Sequence, residues 1–330
     1  MPLKRPRAPV SPGGLPGSPS PGPLARITAQ PTRAPIRDRS GPALLLPLVL
    51  RDSARMRVAV VGHVEWVEFA RVERLPAPGE IVHALESWEE PGGGGAVAAV
   101  QLARLAGECL FLTALGDDPV GHRAKRELEE LGLRVETAWR SEPQRRGFVH
   151  LDANAERTIT VLGERLGPRG DDPLPWDELE DADAVYLTAG DSRAVQGARA
   201  ARTLVATVRA VEALTEANVQ LDALVSSSED EGERYRPGTI SPPPRLVIRT
   251  RGAHGGSIET DEGDRSSWEA APLPGPPVDA YGAGDSFAAG LTFGLGEGRT
   301  PQDALALGAR CGAACVTGRG PYEGQLSSAG

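Results

Sequence analysis

The chain reads as an α/β protein, a three-layer structure with a mostly parallel central sheet, helices on both faces and a small β-sheet lid. Short apolar runs alternate with helical stretches from residue 57 onward, which is the order that builds a parallel sheet. Two segments break this rhythm and alternate polar with apolar residues, as a small sheet with one wet face would.

Residues 1–55 come first, dense in Pro, Gly, Ser and Arg without periodicity. Such a segment cannot bury enough surface to offset its ordering entropy, so disorder is expected. Met56 stands directly before Arg57-Val58-Ala59-Val60-Val61-Gly62, the first buried strand, and is itself a candidate for the native start of translation. Further strands are expected at 109–115, 184–189, 203–207, 221–226 and 245–250, with helices near 95–106, 119–131, 192–201 and 209–218. The lid is expected from segments 64–88 and 147–162, the latter a hairpin of 148–152 against 158–161. Two helices, 284–296 and 301–315, follow around Gly296-Glu297-Gly298. The domain then runs over 56–325, with 326–330 as a tail and no internal repeat.

Composition narrows the chemistry. The chain has 36 Lys and Arg against 45 Asp and Glu, and residues 1–55 hold nine of the basic and two of the acidic side chains. A body so acidic would repel nucleic acid, and suits small neutral substrates or anions held locally by backbone N–H groups. Cys109, Cys311 and Cys315 are too few for a disulfide framework and read as buried packing residues in a reducing cytoplasm. No run approaches a membrane span, and Ala43–Leu50 is laid out wrongly for a signal peptide.

The segment that carries chemistry is Asp279-Ala280-Tyr281-Gly282-Ala283-Gly284-Asp285-Ser286-Phe287-Ala288-Ala289-Gly290. Gly282 and Gly284 allow a tight backbone turn that feeds a helix, and the first N–H groups of a helix lack internal partners. A phosphate can dock there, on oriented donors and the positive end of the dipole. Asp285 then places a carboxylate beside that phosphate, where it can accept a proton from an incoming alcohol. The plain alternative is an Asp that only caps a helix. Gly284-Asp285-Ser286-Phe287 also superficially resembles the G-D-S-L block of a lipase and esterase family, but that family places its His base near the C-terminus, whereas every His here (63, 83, 122, 150, 254) precedes Ser286.

The segment resembles the C-terminal signature of the ribokinase-like, or phosphofructokinase B type, family of sugar and nucleoside kinases, through Asp279, Gly282, Ala283, Gly284, Asp285, Phe287 and Gly290. Three further stretches are similar to family motifs in the same order: Gly92-Gly93-Gly94-Gly95-Ala96, Gly116-Asp117-Asp118-Pro119-Val120-Gly121 and Arg251-Gly252-Ala253-His254-Gly255. The resemblance spans about 56–322 and implies a ribokinase-like fold, ATP as donor and a small-molecule alcohol as acceptor. It implies Asp285 as catalytic base and Gly282, Ala283 and Gly284 as anion hole. Acceptor contacts would fall at Glu65, Val67, Gly92, Gly93 and Val97, with His63, Trp66 and Glu68 nearby. Nucleotide contacts would fall at Thr250, Gly252, Gly255, Gly282, Gly284, Ala309 and Gly312. Mg²⁺ would involve Glu231, in Ser228-Glu229-Asp230-Glu231, where the family has N-x-x-E, and K⁺ would involve Asp279. Some members pair through the lid, which is compatible with a homodimer. Val67 and Val97 stand where sugar kinases carry hydroxyl-binding Asp and Asn, so an unusual acceptor is expected, a sugar or polyol ahead of a nucleoside. A descendant that binds a nucleotide or metabolite without catalysis is the rival, and retention of Asp285 argues against it.

Overall fold

Runs of Val, Ala, Leu and Ile with no polar face belong inside, and here they form the central strands. The computed structural model describes residues 55–153 and 156–327. The disorder expected over 1–55 lies outside them except for Arg55, as do hairpin residues 154–155 and the end of the tail, 328–330. In chain order the elements are β1 (Val58–His63), β2 (Glu65–Arg71), β3 (Glu86–Gly92), α1 (Gly94–Ala106), β4 (Leu110–Gly116), α2 (Pro119–Glu130) and β5 (Arg134–Arg140). Then follow β6 (Arg146–Leu151), β7 (Arg157–Leu162), β8 (Ala184–Leu187), α3 (Ser192–Ala198), β9 (Thr203–Thr207), α4 (Val211–Ala217) and β10 (Ala223–Ser227). The last are β11 (Leu246–Thr250), β12 (Gly256–Thr260), β13 (Arg265–Trp268), α5 (Ala283–Gly296) and α6 (Pro301–Cys315).

The main sheet has nine strands in the order β13-β12-β11-β10-β9-β8-β1-β4-β5. It is parallel from β11 to β5, and β12 and β13 add an antiparallel edge. One face packs on α1, α2, α5 and α6 through Val100, Leu102, Leu128, Phe287 and Leu305, and the other on α3 and α4 through Val195 and Leu214. Strand order reverses at β1, whose neighbours are β4 and β8. A crevice therefore opens at the carboxyl ends of these strands, where α/β proteins bind ligands.

The expected strands and helices are present within a few residues of their predicted ends. Three strands were not expected. β5 lies at the sheet edge with only Val135 and Ala138 buried, and β12 and β13 are rich in Ser, Glu and Arg. Edge strands face water on one side and lose the apolar run that marks a central strand. Cys109, Cys311 and Cys315 are free and buried, as expected. No helix among the described residues is long and apolar enough to cross a membrane.

The small sheet has the order β3-β2-β6-β7, and β6 and β7 form the expected antiparallel hairpin. It differs from the expectation in two ways. Residues 72–85 form no strand. And only β7 is wet along its whole length, whereas β2 is buried nearly throughout. On one side Trp66 packs under the Arg123 guanidinium of α2, 4.4 Å from the ring centre. On the other Phe69 stacks on Trp88 at 4.8 Å and meets Tyr281 edge-on at 5.2 Å. The sheet is thus anchored in the core by its central strand, and only its far edge is free.

Candidate active site

Helix starts usually satisfy their orphan N–H groups with a local side chain. In α2, Asp118 accepts from Val120 and Gly121; in α3, Asp191 accepts from Ala194; in α6, Thr300 accepts from Asp303. α4 continues a 3-10 turn whose start Thr207 caps, whereas α1 and α5 begin at Gly93 (φ 83°) and Gly282 (φ 81°) with no side-chain cap. These two open termini meet. A Cβ on Gly94 would lie 2.8 Å from Asp285 Oδ1, so the first turn of α1 walls the carboxylate of α5. Gly284 is exposed, and a Cβ there would have nothing within 4 Å, so the start of α5 opens on empty space. The Ala283 N–H is engaged only by a long bond to the Ala280 carbonyl, 3.4 Å. The arrangement sets an exposed helix start beside an acid, a geometry in which an anion can dock.

Asp285 is half-buried. Burial pushes its pKa up to about 6; Glu233 pushes the same way, Arg209 and Arg157 oppose, and Glu65 adds a smaller upward push. A carboxyl poised near neutrality is what a general base at an alcohol requires. Its neighbour Ser286 is fully buried and accepts from Gln325 Nε2 at 3.1 Å, which fits packing and not nucleophilic chemistry. Asp279, expected at a monovalent-cation site, is fully buried; Oδ1 accepts the Tyr281 N–H (2.8 Å) and Oδ2 the Gly320 N–H (3.1 Å). The structure shows it bracing the turn.

Of the residues expected to contact an acceptor, the structure brings some beside Asp285 and holds others away from it. His63 ends β1, buried, with its Nδ1 3.4 Å from Thr188 Oγ1 beyond β8, and its Cε1 3.6 Å from the Cβ position of Gly94. Glu65 is beside it, Oε1 3.9 Å from His63 Nε2 and 2.8 Å from Arg145 Nε. Val67 and Val97 are fully buried, Val67 against the Cα of Gly92 and Val97 against that of Gly282, so neither offers a ligand any surface. Gly92 is filled by Tyr281 and Val67, and Gly93 is buried with its N–H on Tyr281 Oη at 2.9 Å. The glycine that reaches Asp285 is Gly94, one residue beyond the expected pair. Trp66 and Glu68 point to the opposite side of β2, under Arg123 and onto Arg146, because strand side chains alternate.

What the sequence reading missed is a set of arginines. The Gly116–Gly121 turn holds one of them in place: Asp118 Oδ2 accepts the Gln144 N–H at 2.8 Å, and Gln144 Oε1 accepts that of Gly116 at 3.1 Å. Arg145 follows directly. Arg165 and Arg209 come from segments after β7 and β9, and Arg157 of β7 reaches across to the Ala280 carbonyl. Burial first, then the charges of Arg165, Arg145 and Arg209, hold the His63 pKa well below its ordinary value, so the ring is neutral at pH 7. An acidic body was expected to suit neutral substrates or anions held by backbone N–H groups, and around His63 the charge is instead locally cationic through side chains. No short motif marks these arginines, which stand in separate segments of the chain.

A cleft of about 530 Å³ opens beyond β10 and β11, lined by Ser227, Ser228, Glu231, Arg234, Tyr235 and Arg249 among others. Thr250 donates to the Ser226 carbonyl at 3.3 Å, and Gly252 (φ 49°) and Gly255 (φ 70°) shape the next turn. Ala309 and Gly312 are buried where α6 meets the start of α5, a Cβ on Gly312 lying 3.1 Å from the Ala283 carbonyl, so they support the cradle from behind. Glu231 is 85% exposed and pairs loosely with Arg234 at 3.6 Å. Asp230 and Glu233 are held by Arg209, and of the segment it is Glu233 whose charge acts on Asp285.

Comparison with known proteins agrees with this geometry. A profile of the pfkB family carbohydrate kinases matches residues 55–238 and 200–328. An ATP-dependent ribose-1-phosphate kinase of Halopiger xanaduensis is 32% identical over 284 residues, covering 78% of this chain and 91% of the relative. A fructokinase of Salmonella typhimurium is 28% identical over 284 residues, covering 72% and 91%. The ribokinase structure from Thermotoga maritima superposes with a TM-score of 0.66 at 20% identity, over 83% of this chain and 97% of that one, which fixes the fold as ribokinase-like. With the matched profile spanning both glycine-led helix starts and the carboxylate between them, the chain belongs to the pfkB family of carbohydrate kinases.

Proposed function

We propose that the protein transfers the terminal phosphoryl group of ATP to a hydroxyl of a sugar or related polyol, with Asp285 as general base. The observation that carries this is the meeting of two uncapped helix starts at one carboxylate. With a pKa about 6, Asp285 is mostly ionised at pH 7 and still basic enough to take a proton. As the acceptor oxygen attacks the γ-phosphorus, its proton passes to Asp285, the bond to the bridging oxygen breaks and ADP leaves. The Gly284 amide and the weakly engaged amide of Ala283, with the positive end of α5, stabilise charge gathering on the transferred oxygens.

The nucleotide is assigned to the cleft beyond β10 and β11, with Thr250, Gly252 and Gly255 along its edge. Mg²⁺ carried by the triphosphate would neutralise part of its charge. Here the exposed Glu231 suits a water-mediated contact with it, whereas Asp230 and Glu233 are already engaged by Arg209. Arg157, joining β7 to the Ala280 carbonyl, ties the free edge of the small sheet to the catalytic turn and helps exclude water.

The related enzymes are named for both phosphorylated and unphosphorylated sugars, so their names leave the charge of the acceptor open. The full chain, incubated with Mg-ATP and a pool of sugars, sugar phosphates, polyols and nucleosides, is expected to yield ADP and a sugar-derived product heavier by one phosphoryl group. No product from any of them would overturn the proposal, and a product from nucleosides alone would replace the acceptor class.

A further inference from the structure

Three arginines from separate segments act together on His63 at the end of β1: Arg145 just before β6, Arg165 just after β7 and Arg209 just after β9. Two have counter-charges. Arg145 holds Glu65 at 2.8 Å, and Arg209 holds Asp230 at 2.7 Å together with Glu233. Arg165 differs. Among the described residues it has no carboxylate within 4.0 Å, its Nη1 reaches the Arg209 carbonyl at 3.3 Å, and its Nε is buried without an acceptor.

A guanidinium cannot shed its charge at ordinary pH, so half-burying one beside two like charges has a cost that the free protein recovers only in part. Burial first, then Arg145 and Arg209, hold its pKa below the ordinary value, against a smaller opposing pull from the more distant Glu65 and Glu233, which expresses the same cost. A counter-ion that arrives with the ligand would recover it. The nucleotide cleft lies at the ends of β10 and β11, whereas Arg165 is the strongest charge acting on His63 at the end of β1, on the acceptor side of Asp285. Meanwhile Val67 and Val97 offer no hydrogen bond to a neutral sugar's hydroxyls.

We propose that the acceptor is a sugar monophosphate, its phosphate ester held by Arg165 with Arg145 and Arg209 beside it while a free hydroxyl meets Asp285. This rests on the kinase reading and adds the acceptor's charge to it. A phosphate dianion matches several forks better than a carboxylate, whose two oxygens a single arginine saturates.

The test is steady-state kinetics of the full chain with Mg-ATP on matched acceptors: ribose with ribose 1-phosphate and ribose 5-phosphate, fructose with fructose 1-phosphate, and gluconate as a carboxylate. At least one phosphorylated member is expected to exceed its parent sugar in kcat/KM by roughly 30-fold or more, the usual scale for a desolvated charge pair. Arg165→Gln should raise KM for that acceptor by a similar factor with less effect on kcat, and Arg165→Lys should restore part of the loss. Parent sugars used equally well, a preference for gluconate, or an Arg165→Gln enzyme with unchanged KM would each overturn the proposal and leave the kinase reading intact. If Arg165→Gln does not fold, calorimetry on the parent decides: tighter binding of the sugar phosphate than of the sugar supports the site, and equal binding overturns it. Such binding without any turnover would instead sink the kinase reading and leave the anion site standing.

Discussion

The two glycine-led helix starts look alike in sequence and are put to different uses. At the start of α1 the glycines are needed because other groups crowd them: Gly94 leaves 2.8 Å between a would-be Cβ and Asp285 Oδ1, and Gly95 leaves 2.6 Å to the His63 carbonyl. At the start of α5, Gly282 supplies a positive φ, while Gly284 stands free of neighbours. One turn is a wall and the other an open cradle, and the carboxylate lies between them. A glycine can be required by what it touches or by what it leaves room for, and the two cases respond differently to a methyl group.

Gly94→Ala should have the larger effect. The added methyl collides with Asp285 and displaces it, and misplacement by about 1 Å is expected to lower kcat roughly 10²-fold, read against an unchanged melting temperature. An undiminished kcat would show that the wall is not against the working carboxylate. Next comes pH. The raised pKa of Asp285 means the base is protonated, and idle, below about 6, so kcat/KM measured with an uncharged acceptor should fall about tenfold per pH unit beneath that point. A profile flat from pH 5 to 8 would remove Asp285 from that role. Gly284→Ala should be mildest. It meets nothing, so stability should stay within about 1 kcal/mol of the parent, on the favourable side, while KM for ATP rises severalfold as the cradle narrows.

The cradle was legible because its parts are adjacent: a turn, a helix start and an acid within four residues can be read from the string alone. The parallel core was legible for a similar reason, since buried strands announce themselves as short apolar runs. The wall was not legible: Gly92 and Gly93 were expected as acceptor contacts, and Gly94 was not singled out. Four consecutive glycines, Gly92 to Gly95, give no internal sign of which one faces the acid, and only the packing of Tyr281 and Val67 on Gly92 selects Gly94. The arginines were not legible at all. Arg145, Arg165 and Arg209 are brought together by strand order, with Gln144 tied to the Gly116 turn and Arg165 reaching the Arg209 carbonyl, and nothing near each of them in sequence signals a shared site. Edge strands β5, β12 and β13 escaped for the opposite reason, because solvent exposure on one side erased the apolar run.

The most direct measurement is kcat and ATP affinity of Asp285→Asn side by side with the parent enzyme. The substitution keeps shape and removes a charge that burial disfavours, so the melting temperature at pH 7 should match or exceed the parent's, and ATP affinity should hold. Turnover should drop by roughly 10² to 10⁴, the worth of a general base. Phosphorylation at the parent rate would contradict the idea that this carboxylate takes the acceptor's proton.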